Sequence, residues 1–259
     1  MTATTAAGVP EGSVRITVAD GIGTVEFSHP KGNSLPAKLL NELAAAITTV
    51  GDDPAARVIV LRSAGSSTFC AGASFDEFTA VKDAEGGKEF FSGFSRVILA
   101  MIRAPKFVLV RVQGRAAGGA IGVIAASDYS CAVRGAQVKL SELQVGIGPF
   151  VVGVVIDRKL GPAALMNLAV HADWHDAEWC ERHGLYSELC GDIAALDAAV
   201  DAHAKRLAAS NPEAMREMKR IFWAGTEDWQ ARMGERAALS GRMVLSDFTR
   251  DALARFRAR

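Results

Sequence analysis

The residues of this chain whose types and spacing could do chemistry fall in three short runs. Ala71-Gly72-Ala73 closes a loop of small residues and leads into a helix. Gly114-Arg115-Ala116-Ala117-Gly118-Gly119 follows an apolar run and opens a second helix. Glu142, in Leu140-Ser141-Glu142-Leu143, stands 23 residues after Gly119. Glycine lacks a Cβ, so backbone at these turns can approach a ligand closely. A helix start adds unpaired N–H groups and the positive end of the helix dipole. Such a site suits a developing negative charge, and two converging N–H donors make an oxyanion hole. A carboxylate within reach can move a proton.

The elements that must position these runs are legible from periodicity. Val14–Val18 alternates as a half-buried strand, Asp20-Gly21 turns the chain, and Ile22–Phe27 is the return strand. Leu35, Leu39, Leu43 and Ile47 recur at helical spacing, with Pro36 in the first turn and Asp52-Asp53-Pro54 as the stop. Val58–Leu61 reads as a strand covered on both faces. Ser74 with Glu77 fits a capping box, so Ser74, Asp76 and Glu77 need do no more than start a helix. Gly86-Gly87 interrupts the pattern, which makes Thr79–Lys88 a candidate mobile loop before a helix over Phe90–Arg103. Phe107–Val112, Tyr129–Val133 and Gln137–Leu140 are further strands. Helices are expected near Phe150–Lys159, Pro162–Val170 and Ala177–His183, then a short extended piece at Leu185–Leu189. From Ile193 onward the pattern is helical, broken at Asn211-Pro212 and Gly225. Strands alternating with helices after a hairpin indicate an α/β layout.

Composition narrows the function. Hydrophobic residues are 49% of 259, ample for a core. Lys+Arg and Asp+Glu are 29 each, which argues against nucleic acid as the main partner. Cys70, Cys131, Cys180 and Cys190 form no C-x-x-C pair and have no His at metal spacing, so incidental thiols are expected and no metal. Cys70 has no neighbouring His to make it a nucleophile, and no G-x-S-x-G supports a serine triad. The first residues, MTATTAAGVPEG, lack the pattern of a signal peptide, and Phe107–Val112 is too short to span a membrane. A soluble cytoplasmic protein is expected, with residues 1–12 as a disordered lead.

Together the runs F-C-A-G-A, V-x-G-x-A-x-G-G-A and the later carboxylate resemble the crotonase (enoyl-CoA hydratase/isomerase) superfamily. Pro30–Leu35, Ala177–Leu189, Asn211-Pro212 and Asp247–Arg259 extend the resemblance over nearly the whole chain. It implies a spiral of β-β-α turns over residues 13–190 and a helical trimerisation region over 191–259. It also implies an acyl-CoA thioester substrate, with no cofactor beyond the coenzyme A of that substrate, and a homotrimer or dimer of trimers. By the same resemblance the N–H groups of Ala73 and Gly119 would hold the thioester oxygen as an enolate, with Ala71, Gly72 and Gly118 around them. Glu142 would be the proton-transfer carboxylate, and Phe256 could pack on the adenine of a neighbouring subunit's CoA.

The departures from the family pattern bear on the reaction. Hydratases of the family use two glutamates around one water, and the first falls here on Gly122. A lone carboxylate fits the double-bond isomerases of the family better. Hydration, thioester hydrolysis, decarboxylation and a non-catalytic acyl-CoA binder are the alternatives. Asp76 stands where the family often has a lysine near the CoA phosphates, and Arg115 is a candidate for that contact or a surface residue. Phe150 and Val151 replace part of a glycine turn and would narrow and dry the acyl end, pointing to a compact or apolar acyl group.

Overall fold

The computed structural model of the chain describes residues 11–257, with side chains described through Arg255. The expected disordered lead lies almost wholly outside the described residues. The chain opens with β1 (Ser13–Ala19) and β2 (Ile22–Ser28), an antiparallel hairpin, then α1 (Ala37–Asp52). Asp20 and Gly21 both take positive φ, 52° and 76°, as a two-residue hairpin turn requires. Next come β3 (Val58–Ser63), β4 (Thr68–Cys70), α2 (Phe75–Ala80) and α3 (Ala84–Arg103). Then follow β5 (Val108–Val112), β6 (Arg115–Ala117), α4 (Gly119–Ala125), β7 (Tyr129–Val133) and β8 (Gln137–Lys139). A 3₁₀ turn, Glu142–Val145, precedes α5 (Gly153–Leu160), α6 (Pro162–His171), β9 (His175–Asp176), α7 (Ala177–Arg182) and β10 (Glu188–Cys190). Four helices finish the chain: α8 (Ile193–Ala208), α9 (Pro212–Phe222), α10 (Trp229–Met243) and α11 (Asp247–Arg257).

The strands sort into two sheets, and the sorting is the spiral. The larger has the order β1-β2-β3-β5-β7-β10, the smaller β4-β6-β8-β9. Each of three successive turns places its first strand in the large sheet (β3, β5, β7) and its second in the small one (β4, β6, β8). All these neighbours pair in parallel. The continuous apolar runs of β3 and β5 are buried along nearly their full length, as in a sheet covered on both faces. Leu39, Leu43 and Ile47 of α1 and Val97, Ile98 and Met101 of α3 belong to the same core.

Several local expectations are corrected. Pro36 is the residue before α1 rather than within its first turn. Ser74 Oγ accepts from the Glu77 N–H at 3.4 Å, but Glu77 does not reach back to complete the box. Its Oε2 instead accepts from the Ala37 N–H at 2.8 Å, so one helix's acid caps the start of another. Gly86-Gly87 lies inside the first turn of α3, which begins at Ala84, so Thr79–Lys88 is mostly helical. A Cβ on Gly87 would come 2.6 Å from Gly241 Cα, so glycine here permits close packing of α3 on α10 rather than a break. The strands β4 and β6, of three residues each, and β9, of two, are too short to carry a periodic signal in the sequence.

The tail is locked to the core by one buried ion pair. Lys219 Nζ of α9 donates to Asp128 Oδ2 at 2.7 Å and to the carbonyls of Met101 and Lys106 at 2.7 and 2.9 Å. Asp128 accepts in addition from the Val108 N–H and from Trp223 Nε1, at 2.7 and 2.8 Å. Asp128, just before β7, is thus a structural residue that ties β5, α9 and Trp223 together. Trp223 packs edge-on to Trp229 with ring centres 6.2 Å apart.

Candidate active site

The three chemical runs meet because they follow three neighbouring strands. Ala71-Gly72-Ala73 follows β4, Gly118-Gly119 follows β6, and Glu142 follows β8. Those strands are parallel and consecutive in the small sheet, so their carboxyl ends lie side by side, about 4.8 Å apart per step. Clefts outside the carboxyl ends of parallel strands are where open α/β sheets bind ligands. The Gly118 N–H donates to the Lys139 carbonyl at 2.9 Å, fixing the second run to β8. A Cβ on Gly72 would sit 2.9 Å from the Ala117 carbonyl oxygen, so the first and second runs touch.

The backbone geometry leaves the two donors open. The Leu35 N–H bonds the Gly72 carbonyl at 2.8 Å, and that bridge does not use the Ala73 N–H. Gly118 has φ 54° and ψ −123°, a region open essentially to glycine alone, and it swings the chain into α4. Gly119 is the first residue of α4, where an N–H has no partner within the helix. Among the described residues neither the Ala73 nor the Gly119 N–H reaches a backbone carbonyl of another element.

Glu142 lies against this pair. Its Oε1 would be 3.4 Å from a Cβ on Gly118, which places the carboxyl over the second run. Its Oε2 is buried and has no hydrogen-bond partner. Burial pushes the carboxyl pKa up to about 7, against a smaller opposing pull from backbone bonds at Glu142 and Ser141. A carboxyl so poised exchanges its proton near neutrality.

Ala71, Gly72, Ala73, Gly118, Gly119, Glu142 and Phe150 all line one cavity of about 250 Å³. Glu142 is the only ionisable side chain in its lining among the described residues. Two other depressions, of about 400 and 640 Å³, contain none of these residues.

Gly122 does not line the cavity. A Cβ there would meet Val152 Cγ1 at 2.8 Å, Val152 Cβ at 2.9 Å and Ile98 Cδ1 at 3.0 Å. The seat of a second glutamate is therefore filled by apolar side chains. Gly122→Ala is expected to destabilise the fold by about 1–3 kcal/mol through overpacking, read as a lower urea midpoint. Glutamate at this position would meet the same wall.

The other sequence candidates have ordinary places. Cys70 is buried, and burial pushes its thiol up to about 12, far from a nucleophile's range. Arg115 donates to Gln137 and lies 5.0 Å over the Trp174 ring, outside the cavity lining. Lys31 Nζ meets Asp76 Oδ2 at 2.5 Å, so the acid replacing the family's lysine is paired with one from another loop. The backbone of Phe256 is in α11, but its side chain lies outside the described residues. The Cys131 thiol, a Glu188 carboxylate oxygen and a His203 ring nitrogen come within 4.8 Å of one another, outside the cavity lining. Their sequence spacing gave no hint of this. Arg206 bonds the His203 ring there and adds a positive charge that opposes a bound cation.

What sequence reasoning missed is the wall. Phe75, Phe78, Phe90, Phe91 and Phe94 join Phe150 around the cavity. Phe75/Phe78 and Phe90/Phe94 have the i,i+3 and i,i+4 spacing of a helix face. That signal was available, but it reads equally as core. The Phe94 ring lies where a Gly119 Cβ would be, at 2.4 Å. Gly119→Ala is expected to displace that ring or the donor, and to lower activity about 10²-fold or more, as loss of one oxyanion donor does.

Comparison with known proteins decides the family. A family model described as Enoyl-CoA hydratase/isomerase matches residues 17–252. The chain belongs to this family. It is thus an acyl-CoA enzyme of the enoyl-CoA hydratase/isomerase family, as the three runs implied. The carnitinyl-CoA dehydratase of Proteus mirabilis is 26% identical over 83% of this chain and 82% of its own length. That of Citrobacter koseri is 29% identical over the same shares. The fold agrees with an enoyl-CoA hydratase crystal structure from Bacillus halodurans at TM-score 0.85 and 20% identity, covering 93% of this chain and 99% of that one. An enoyl-CoA hydratase from Mycobacterium avium subsp. paratuberculosis gives TM-score 0.82 at 22% identity, covering 95% and 96%. Among the described residues no helix is long and apolar enough to cross a membrane.

Proposed function

We propose that the protein moves a proton on an enoyl-CoA, with Glu142 as the one proton-transfer carboxylate. The thioester oxygen would sit between the N–H groups of Ala73 and Gly119. Glu142 would take a proton from C2 of a 3-enoyl-CoA, sending the electron pair toward the thioester oxygen as a dienolate. Fixed N–H dipoles stabilise that charge without reorganising. Glu142 would then return the proton at C4, shifting the double bond to C2–C3. Ala71, Gly72 and Gly118 would line the path of the thioester, and Phe150 the acyl end.

The observation that carries this reading is the lone carboxyl. Glu142 faces the cavity with an unpaired buried oxygen, and Gly122 leaves the second glutamate's seat to Val152 and Ile98. One carboxylate suffices for transfer between two carbons, whereas activating water is ordinarily shared between two. Hydration or dehydration is the second reading, favoured by the names of the dehydratase relatives. Separate incubation with a 3-enoyl-CoA and a 2-enoyl-CoA distinguishes them. Isomerisation outpacing hydration at least tenfold supports the first reading. Hydration as the faster reaction sinks it.

A further inference from the structure

The cavity wall says which acyl groups the site takes. Phe75 and Phe78 come from α2, Phe90, Phe91 and Phe94 from α3, and Phe150 from the loop before α5. These six are half of the chain's twelve phenylalanines. Their rings are organised rather than merely crowded. Phe78 stacks on Phe90 with centres 5.7 Å apart and planes at 27°. Phe91 meets Phe90 edge-on at 5.1 Å and 86°, and Phe78 edge-on at 6.1 Å and 80°. Val145, Ile147, Val151 and Val152 complete the apolar lining.

Three features follow from that wall. First, it contains no Lys, Arg or His among the described residues, so a carboxylate on the acyl group would be desolvated without a partner. Second, its only charge belongs to Glu142, which the proton-transfer reading already uses, and its phenylalanines stack on one another rather than standing apart as a cage. A trimethylammonium group would lose its water for little return. Third, the volume of about 250 Å³ is below the usual range for ligand pockets, roughly 300–1,000 Å³, which favours a short acyl group. A flat ring meets edges and faces already set at the angles aromatic pairs prefer.

We infer that the acyl group is short and uncharged and ends in an aryl ring, as in a 4-arylbutenoyl-CoA, whose C2 and C4 can exchange the proton that Glu142 moves. This rests on the acyl-CoA reading above and deepens it. Phe75, 42% exposed, is the ring at the edge of the cavity, and Phe150 closes its acyl end. Both are specificity residues on this account, and neither belongs to the fully buried core.

The test is calorimetric binding, which does not depend on the reaction. Cinnamoyl-CoA, crotonyl-CoA, glutaconyl-CoA and trimethylammonio-crotonyl-CoA are titrated into the full chain. Cinnamoyl-CoA is expected to bind at least tenfold more tightly than the carboxylate and trimethylammonium compounds, with crotonyl-CoA between. Phe75→Leu and Phe150→Leu are expected to weaken cinnamoyl-CoA about fivefold more than acetyl-CoA. Equal or tighter binding of either charged compound overturns this inference alone. Binding of none of the four overturns the acyl-CoA reading and this inference with it.

Discussion

Glu142→Gln lowers turnover by about 10²–10⁴-fold, the usual contribution of a positioned acid–base group. Glutamine keeps the shape and the contact with Gly118 but cannot carry the proton. Among the described residues no other side chain of the cavity lining can take its place, because none other ionises. The pH profile carries the same signature. Glu142 must be ionised to accept a proton, so kcat/KM of the wild type rises with pH and levels off above about 7. A surface glutamate would put that rise near 4.5.

The stability of Glu142→Gln moves the opposite way. The folded pKa of Glu142, about 7, lies above its ordinary value of 4.5. The protonated carboxyl is therefore tolerated by the fold below pH 4.5, and that tolerance is lost as pH rises through 7. The loss is on the order of 3 kcal/mol at 1.36 kcal/mol per pKa unit. Glutamine does not titrate. Thermal unfolding across pH 4–8 should show the wild type losing stability relative to the variant as the pH rises. Parallel pH dependences for the two proteins would mean that Glu142 is solvated.

Lys219→Met costs about 3–5 kcal/mol, the second large effect. All three ammonium donors of Lys219 are used, on Asp128 and on the carbonyls of Met101 and Lys106. Both partners are almost fully buried, with side-chain exposures of 3% and 8%. Methionine fills the space but leaves the buried Asp128 charge with neutral donors alone, from Val108 and Trp223, and takes the ammonium from two carbonyls. Breaking one side of a buried pair is expensive for that reason, far more than the pair's net worth. For a chain of this size the loss corresponds to a fall in Tm on the order of 10 °C. Lys219→Met combined with Asp128→Asn should recover part of it, since the uncompensated charge is gone. A shift below about 1 kcal/mol for the single variant would show that α9 is not held by this pair.

How much of this was legible in the sequence follows from which signals are local. The strands β3 and β5 were readable because burial on both faces writes long apolar runs, as in Val58–Leu61, while β2 and α1 were readable from their periods of two and of about 3.6. The two glycine runs were readable because Gly72, Gly118 and Gly119 are set by backbone geometry and close packing, which leaves a residue-type mark. Glu142 was readable only through its spacing from Gly119. The strands β4 and β6 are three residues each, too short to write a period, yet with β8, which was readable at Gln137–Leu140, they bring the three runs together. The phenylalanine wall was not legible because apolar helical spacing is the same for a core face and a pocket face. Gly86-Gly87 misled because a glycine pair marks a break by propensity, while here it lets α3 approach Gly241. That Gly122 has no room for a side chain could not be read at all. It depends on Val152, thirty residues on, and on Ile98 from another helix.

The central claim is that Glu142 takes a proton from the carbon beside a thioester held by Ala73 and Gly119. Hydrogen exchange at C2 of a saturated acyl-CoA tests it without assuming the overall reaction. Butyryl-CoA is incubated with the protein in D₂O, and deuterium at C2 is followed by NMR. The wild type should incorporate deuterium, and Glu142→Gln should do so at least 10²-fold more slowly. Equal exchange by the two proteins, or none by the wild type, would contradict the account.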